Sequence, residues 1–366
     1  MKQILSNKIF RIFLVAGLFT IANCPAKAQS HKTENVVIVT LDGMRWQEVF
    51  GGIDAALLNN PKYTRDKDNL EEHFGADVSL DKRKKLFPFF WSIIEQNGQL
   101  YGNRNVGSNV NVANPYKISY PGYNEMLTGC VDTGISKNDK IPNPNVTILE
   151  YINKQNKFAD KVAAFATWDR FPYILNEDRS GIYINADDDT LSLSSSTAAM
   201  YNSINKITPR PLGCRPDLIT YLYAKEYMKQ KKPKVLLISF LETDYAAHNG
   251  MYDLYITSAH AEDAMIADLW NTLQQMREYK DKTTLIITCD HGRGDKIKEQ
   301  WTSHGGLIDS GGTWIAVMGP DTQARGEVHT ESQLYQKQIA PTIGKLLGLD
   351  FMPKDSTSLP IKTIVQ

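Results

Sequence analysis

Three aspartates, three histidines and one serine are the residues of this chain whose types and spacing could do chemistry. They fall in short runs: "LDG" at 41–43, "ISYPGY" at 118–123, "ETDYAAHNG" at 242–250, "CDHG" at 289–292 and "WTSHGG" at 301–306. Asp42, Asp244 and Asp290 each close an apolar run that reads as a strand. One such aspartate is most simply a helix cap. Three gathered on one sheet edge would repel each other, and divalent cations are the usual compensation. His248 lies four residues after Asp244, so on a helical turn both share a face. His291 sits beside Asp290, and His304 lies in a glycine-rich loop. Carboxylate and imidazole without thiolate suits zinc first and manganese second. His31, His73, His260 and His329 read as surface or satisfied residues, with His260 on the outer face of a long helix.

Ser119 supplies the attacking group that such ions would need. It opens the helical run "SYPGYNEMLTG" at 119–129. A helix N-terminus offers N–H groups and a positive dipole end to an anion, and a metal ion lowers the pKa of a hydroxyl. The plainer alternative is that Ser119 only caps that helix.

The elements that must position these residues alternate. Apolar runs predict strands over 35–42, 161–167, 234–244, 283–290 and 313–319. Amphipathic patterns predict helices over 84–98, 216–232, 254–279 and 336–348. Strand–helix alternation implies an α/β fold with a mostly parallel central sheet and helices on both faces. In such sheets the carboxyl ends of the strands form the ligand edge. Residues 51–80 and 176–215 break the rhythm and read as loop or cap insertions that would line a pocket.

The first 28 of the 366 residues have a basic start, a short apolar stretch and "AKA" at 26–28. This predicts a secretory signal peptide, an exported mature chain 29–366, and no membrane span after cleavage. Lipid attachment at Cys24 ranks second and an uncleaved anchor third. Cleavage removes four basic and no acidic residues, so 41 of each become 37 against 41. That balance argues against general nucleic-acid binding. Cys130, Cys214 and Cys289 lack the paired spacing of a thiolate zinc site. Cys289 is expected free, and pairing of Cys130 with Cys214 stays open, as does the oligomeric state.

Taken in order, "LDGMRW", "KISYPGYNEMLTG", "ETDYAAH", "TCDHG", "TSHGG" and the closing "QIAPTIGKLLGL" resemble the alkaline phosphatase superfamily. The nucleotide pyrophosphatase/phosphodiesterase branch is the nearest, and the resemblance spans most of the chain. It implies an alkaline-phosphatase-like three-layer sandwich and two divalent ions. One would be held by Asp42, Asp290 and His291 beside Ser119, the other by Asp244, His248 and His304. It implies hydrolysis of a small phosphoric ester, monoester or diester, through a phosphoseryl intermediate. Asn138 in "GISKN" matches a residue that relatives use to hold a phosphate oxygen. Arg45 and Arg170 are further candidate phosphate contacts, though each reads first as a structural residue or a surface ion-pair partner. Serine followed by "YPG" replaces the branch's threonine and "FPN"-like run. A sulfatase or phosphonate hydrolase is the nearest alternative, and a non-catalytic metal-containing binding protein is the alternative of another class. No arginine closes the serine motif as in sulfatases.

Overall fold

A computed structural model describes residues 32–365. The expected signal peptide and Cys24 lie outside the described residues. Eleven strands form among those described: β1 (Asn35–Leu41), β2 (Gly98–Tyr101), β3 (Ser108–Asn111), β4 (Val162–Ala166), β5 (Tyr183–Ala186), β6 (Val235–Phe240), β7 (Thr283–Thr288), β8 (Gly312–Thr313), β9 (Ile315–Met318), β10 (Gly326–Glu327) and β11 (Ser332–Tyr335). Eight make the central sheet, in the order β10-β2-β9-β7-β1-β6-β4-β5, and β11-β3-β8 make a small second sheet. Central neighbours run parallel, except that β9 is antiparallel to both β2 and β7.

β1, with the sequence "NVVIVTL", is buried at every position, as expected for a strand covered on both faces. Its alternate residues serve two cores. Val37, Val39 and Leu41 join the cluster that packs Ile219, Tyr223, Ile256, Ile266 and Leu269. Val36 and Ile38 join the cluster that packs Tyr123, Met126, Ile148, Ile339 and Ile343. Each such side chain contributes about 1.5–3 kcal/mol on burial. Most of them come from α1 (Ser119–Thr128), α2 (Asp217–Lys231), α4 (Tyr252–Gln275) and α5 (Ile339–Leu346); Ile148 opens a separate short helix, Ile148–Asn153, and α3 (Glu242–His248) lies between α2 and α4 in the chain. The result is three layers, with α2 and α4 over one face and α1 and α5 over the other.

Register sets the functional edge. Leu41 pairs with Phe240, and Thr40 with Thr288, so the chain leaves β1, β6 and β7 at one level. β6 stops at Phe240, short of the expected 244, and Asp244 comes from the first turn of α3. The run at 313–319 splits between two sheets. Residues 51–80 are not an unstructured loop: they hold short helices at Ala55–Leu58 and Lys67–Phe74. The 176–215 stretch is not wholly an insertion either, since β5 pairs with β4 at the sheet edge and a helix follows at Ser196–Ile207. β5 has only four residues, and its buried Asn185 accepts from Arg215 Nη1 at 2.7 Å, so "YINA" lacks the apolar run that marks inner strands.

Candidate active site

Asp42 follows β1, Asp290 and His291 follow β7, and the first helical residue of α1 is Ser119. The N-cap of α1 is Ile118, without a side-chain cap bond, so Ser119 does not cap the helix. Its Oγ instead lies 3.3 Å from His291 Nε2. That same nitrogen is 3.5 Å from Asp42 Oδ1 and 3.4 Å from Asp290 Oδ2. A second group adjoins it. His248 Nε2 is 3.2 Å from Asp244 Oδ2 and 3.0 Å from His304 Nε2, and His304 Nε2 is 3.8 Å from Asp244 Oδ1. The rings of His291 and His304 stack at 3.8 Å, so the two groups are continuous. The fold thus brings all six expected ligands and Ser119 together.

The tautomers say what these atoms face. His291 Nδ1 lies 3.0 Å from Gly292 O, and His304 Nδ1 lies 2.7 Å from Lys117 O. A carbonyl only accepts, so each Nδ1 carries the proton and each Nε2 presents a lone pair. Burial pushes His291 down to about 4, and burial with His291 alongside pushes His304 down to about 3, so both rings are neutral near pH 7. The His291 Nε2 lone pair and the carboxylate oxygens of Asp42 and Asp290 therefore converge at 3.4–3.5 Å. Asp42 Oδ1 and Asp290 Oδ2 are buried without any hydrogen-bond partner. Burial and then the Asp244 charge raise Asp290 to about 7, and burial with Asp290 and Asp244 raises Asp42 well above the carboxylate range. Convergent lone pairs in a dry pocket are what a divalent cation accepts. Asp42, Asp290 and His291 form one candidate set; Asp244 and His304 join His291 in another, which His248 borders.

Surrounding groups hold these ligands. Tyr123, one turn after Ser119, donates to Asp42 Oδ2 at 3.2 Å. Asn138 Oδ1 accepts from Tyr120 N at 2.9 Å, which seats its amide at the start of α1. Gly122 lets α1 approach Asp290: a Cβ there would lie 2.4 Å from Asp290 O. This contact explains a glycine at that position of "YPG". Arg293 binds Asp244. Neither Tyr123 nor Arg293 stood out in the sequence. Spacing of four from Ser119 could have found Tyr123, and a lone cation inside "DHGRG" could have found Arg293.

Other expectations are corrected. Arg45 is not a substrate contact: its guanidinium is fully buried on Glu48, with Asp54 at 3.4 Å and Asp295 at 3.6 Å. Arg170 donates to the backbone oxygen of Asn138 at 2.9 Å and pairs with Asp169. His260 is half-buried rather than outward, with Nδ1 2.8 Å from Leu86 O. Cys289 is free as expected, and the open pairing of Cys130 with Cys214 does not form.

Fold and site together define a three-layer α/β architecture with a carboxylate–imidazole centre at the sheet edge. A profile of the type I phosphodiesterase / nucleotide pyrophosphatase family matches residues 58–339. The chain belongs to that family. Its fold matches the alkaline phosphatase PafA at TM-score 0.61, with 12% identity over 93% of this chain and all of that one. It also matches the murine ectonucleotide pyrophosphatase / phosphodiesterase 5 in complex with AMP, at TM-score 0.55 and 13% identity over 91% of this chain and 100% of that one. A curated relative, the 2,3-bisphosphoglycerate-independent phosphoglycerate mutase of Acaryochloris marina, is 28% identical over 36% of this chain and 24% of its own length. The chain spans about a quarter of the curated relatives that it matches. No helix of the described residues is long and apolar enough to cross a membrane.

Proposed function

We propose that this protein is an exported phosphoric ester hydrolase with two divalent ions, zinc in the first place, and Ser119 as its nucleophile. The observation that carries the reading is the convergence of the neutral His291 imidazole with the Asp42 and Asp290 carboxylates beside Ser119 Oγ, and the Asp244/His248/His304 group that adjoins it. Asp42, Asp290 and His291 would hold one ion, and Asp244, His248 and His304 the other. Bound ions would neutralise phosphate oxygens and favour the ionised hydroxyl. Ser119 Oγ forms a bond to phosphorus as the bond to the leaving alcohol breaks, and water then cleaves the phosphoseryl ester. Asn138 spends its Oδ1 on Tyr120 N, which leaves its NH2 to donate to a phosphate oxygen at the start of α1. Buried His291 and Asp290 exclude water from the nucleophile's inner side.

The substrate is a small phosphate ester. Family membership favours a diester or pyrophosphate bond, while a monoester suits the fold of PafA. The test uses aryl phosphate monoester, diester and sulfate with wild type and Ser119→Ala. Ser119→Ala should lose at least ~1000-fold in turnover with its metal content unchanged. Equal turnover by both proteins removes Ser119 from the chemistry. A preference for the sulfate would move the assignment to the sulfatase alternative.

A further inference from the structure

Arg293 is almost fully buried, and every nitrogen of its guanidinium is engaged inside the protein. Nη1 donates to Asp244 Oδ1, Nε to Trp301 O at 2.6 Å, and Nη2 to Thr302 O at 2.8 Å. These partners belong to two separate segments. Asp244 is on α3 with His248, whereas Trp301 and Thr302 end the short 3-10 turn that leads to His304. One side chain therefore ties together both segments that carry the second ligand group. The fork geometry of a guanidinium suits this task, because its donors are rigid relative to each other.

Local packing reserves the space. Gly43 has φ +59°, and a Cβ there would lie 2.6 Å from Asp244 Oδ1 and 2.8 Å from Arg293 Nη1. The glycine after Asp42 thus makes room for the Asp244–Arg293 pair, while its N–H donates to Asp290 Oδ1 at 3.2 Å. With Oδ1 held by the guanidinium, Asp244 turns Oδ2 to His248 Nε2 at 3.2 Å. Arg293 has no reach to a substrate, so its effect runs through Asp244.

We infer that Arg293 is a positioning residue of the metal centre, which holds Asp244 by one oxygen and so determines how tightly the Asp244/His248/His304 group takes its ion. The inference rests on the two-ion reading proposed above. It predicts that the two groups respond differently to loss of the guanidinium, since Asp42, Asp290 and His291 make no hydrogen bond to it.

The test is zinc binding by full-length wild type, Arg293→Met and Arg293→Lys. Zinc per chain is read at buffered free zinc, together with melting temperatures in zinc and in EDTA. Wild type should take about two ions. Arg293→Met should keep one ion at wild-type affinity and bind the other at least ~10-fold more weakly, as loss of an outer partner of a ligand does. Arg293→Lys retains charge but not the fork, so it should fall between them, and it carries the test should the Met variant not fold. A merely structural arginine would lower the melting temperature equally in zinc and EDTA, whereas positioning reduces the gain that zinc confers. Two ions bound by Arg293→Met with unchanged affinity would overturn the inference alone. A wild type that takes no zinc overturns the metal reading and this inference with it.

Discussion

The two ligand groups use the same donor types and solve the charge problem differently. Asp42, Asp290 and His291 are fully buried, and the two carboxylates have partnerless oxygens and no guanidinium bonded to them. In the other group Asp244 rests on Arg293, and the His248 side chain is 41% exposed. Burial works against ionisation of Asp244, yet the Arg293 charge and then His248 hold it well below the usual carboxylate range, opposite to Asp290 and Asp42. One half therefore leaves repulsion that a proton or a cation must relieve, and the other is partly compensated by the protein itself. An open ligand such as His248 also gives the second half access to solvent.

The strongest way to break this comparison is Asp290→Ala. It should empty the group beside Ser119 and cost ~1000-fold or more in turnover. Because it also removes a buried carboxylate whose Oδ2 has no hydrogen-bond partner, the metal-free variant should melt higher than metal-free wild type. Elemental analysis and melting curves in EDTA check both halves. A variant that keeps both ions, or an apo form that melts lower, would contradict the asymmetry.

His248→Ala should be milder, about 10–100-fold in turnover, with one ion retained per chain. The retained ion should be the one beside Ser119. Reactivity of Ser119 toward an organophosphorus probe, measured in the same preparation, distinguishes that ion from the other.

The smallest effect concerns what holds up α3. Asp217 caps its start, accepting from Leu241 N at 3.0 Å and Glu242 N at 2.8 Å. Glu262 on α4 lies against this pair, fully buried, and burial with the Asp217 and Glu242 charges raises it well above the carboxylate range. A carboxyl raised in the folded state binds its proton longer than the unfolded chain does. Its contribution is complete below the unfolded value and is lost as pH rises toward the folded one. Stability should therefore fall as pH rises above the ordinary carboxylate range in wild type, and Glu262→Gln should flatten that slope. Urea midpoints across the range measure it, and an unchanged slope would show that Glu262 does not titrate there.

How far the residues could be read in advance differs between these regions for a physical reason. Ligand types, their spacing and the buried runs before them are local, and local pattern suffices to call β1, β4, β6, β7 and the long helices. Asp290 and His291 share a turn facing the candidate site simply because they are adjacent. β5 and the shorter strands have no such signal, because they are too short to show a run and β5 carries a buried polar residue, Asn185. Arg45 looked available beside Asp42, yet Glu48 three residues later claims it inside the core.

The donor set and its order along the chain were written in the one-dimensional pattern, since side-chain chemistry and burial periodicity are properties of short segments. Which carboxylate would be compensated was decided only by folding. Arg293 reaches Asp244 across 49 positions of sequence, through space that the bare backbone of Gly43 leaves open. Charge compensation in a dry interior depends on distances of a few ångströms, and sequence spacing does not encode distances between segments that meet only when the sheet is assembled.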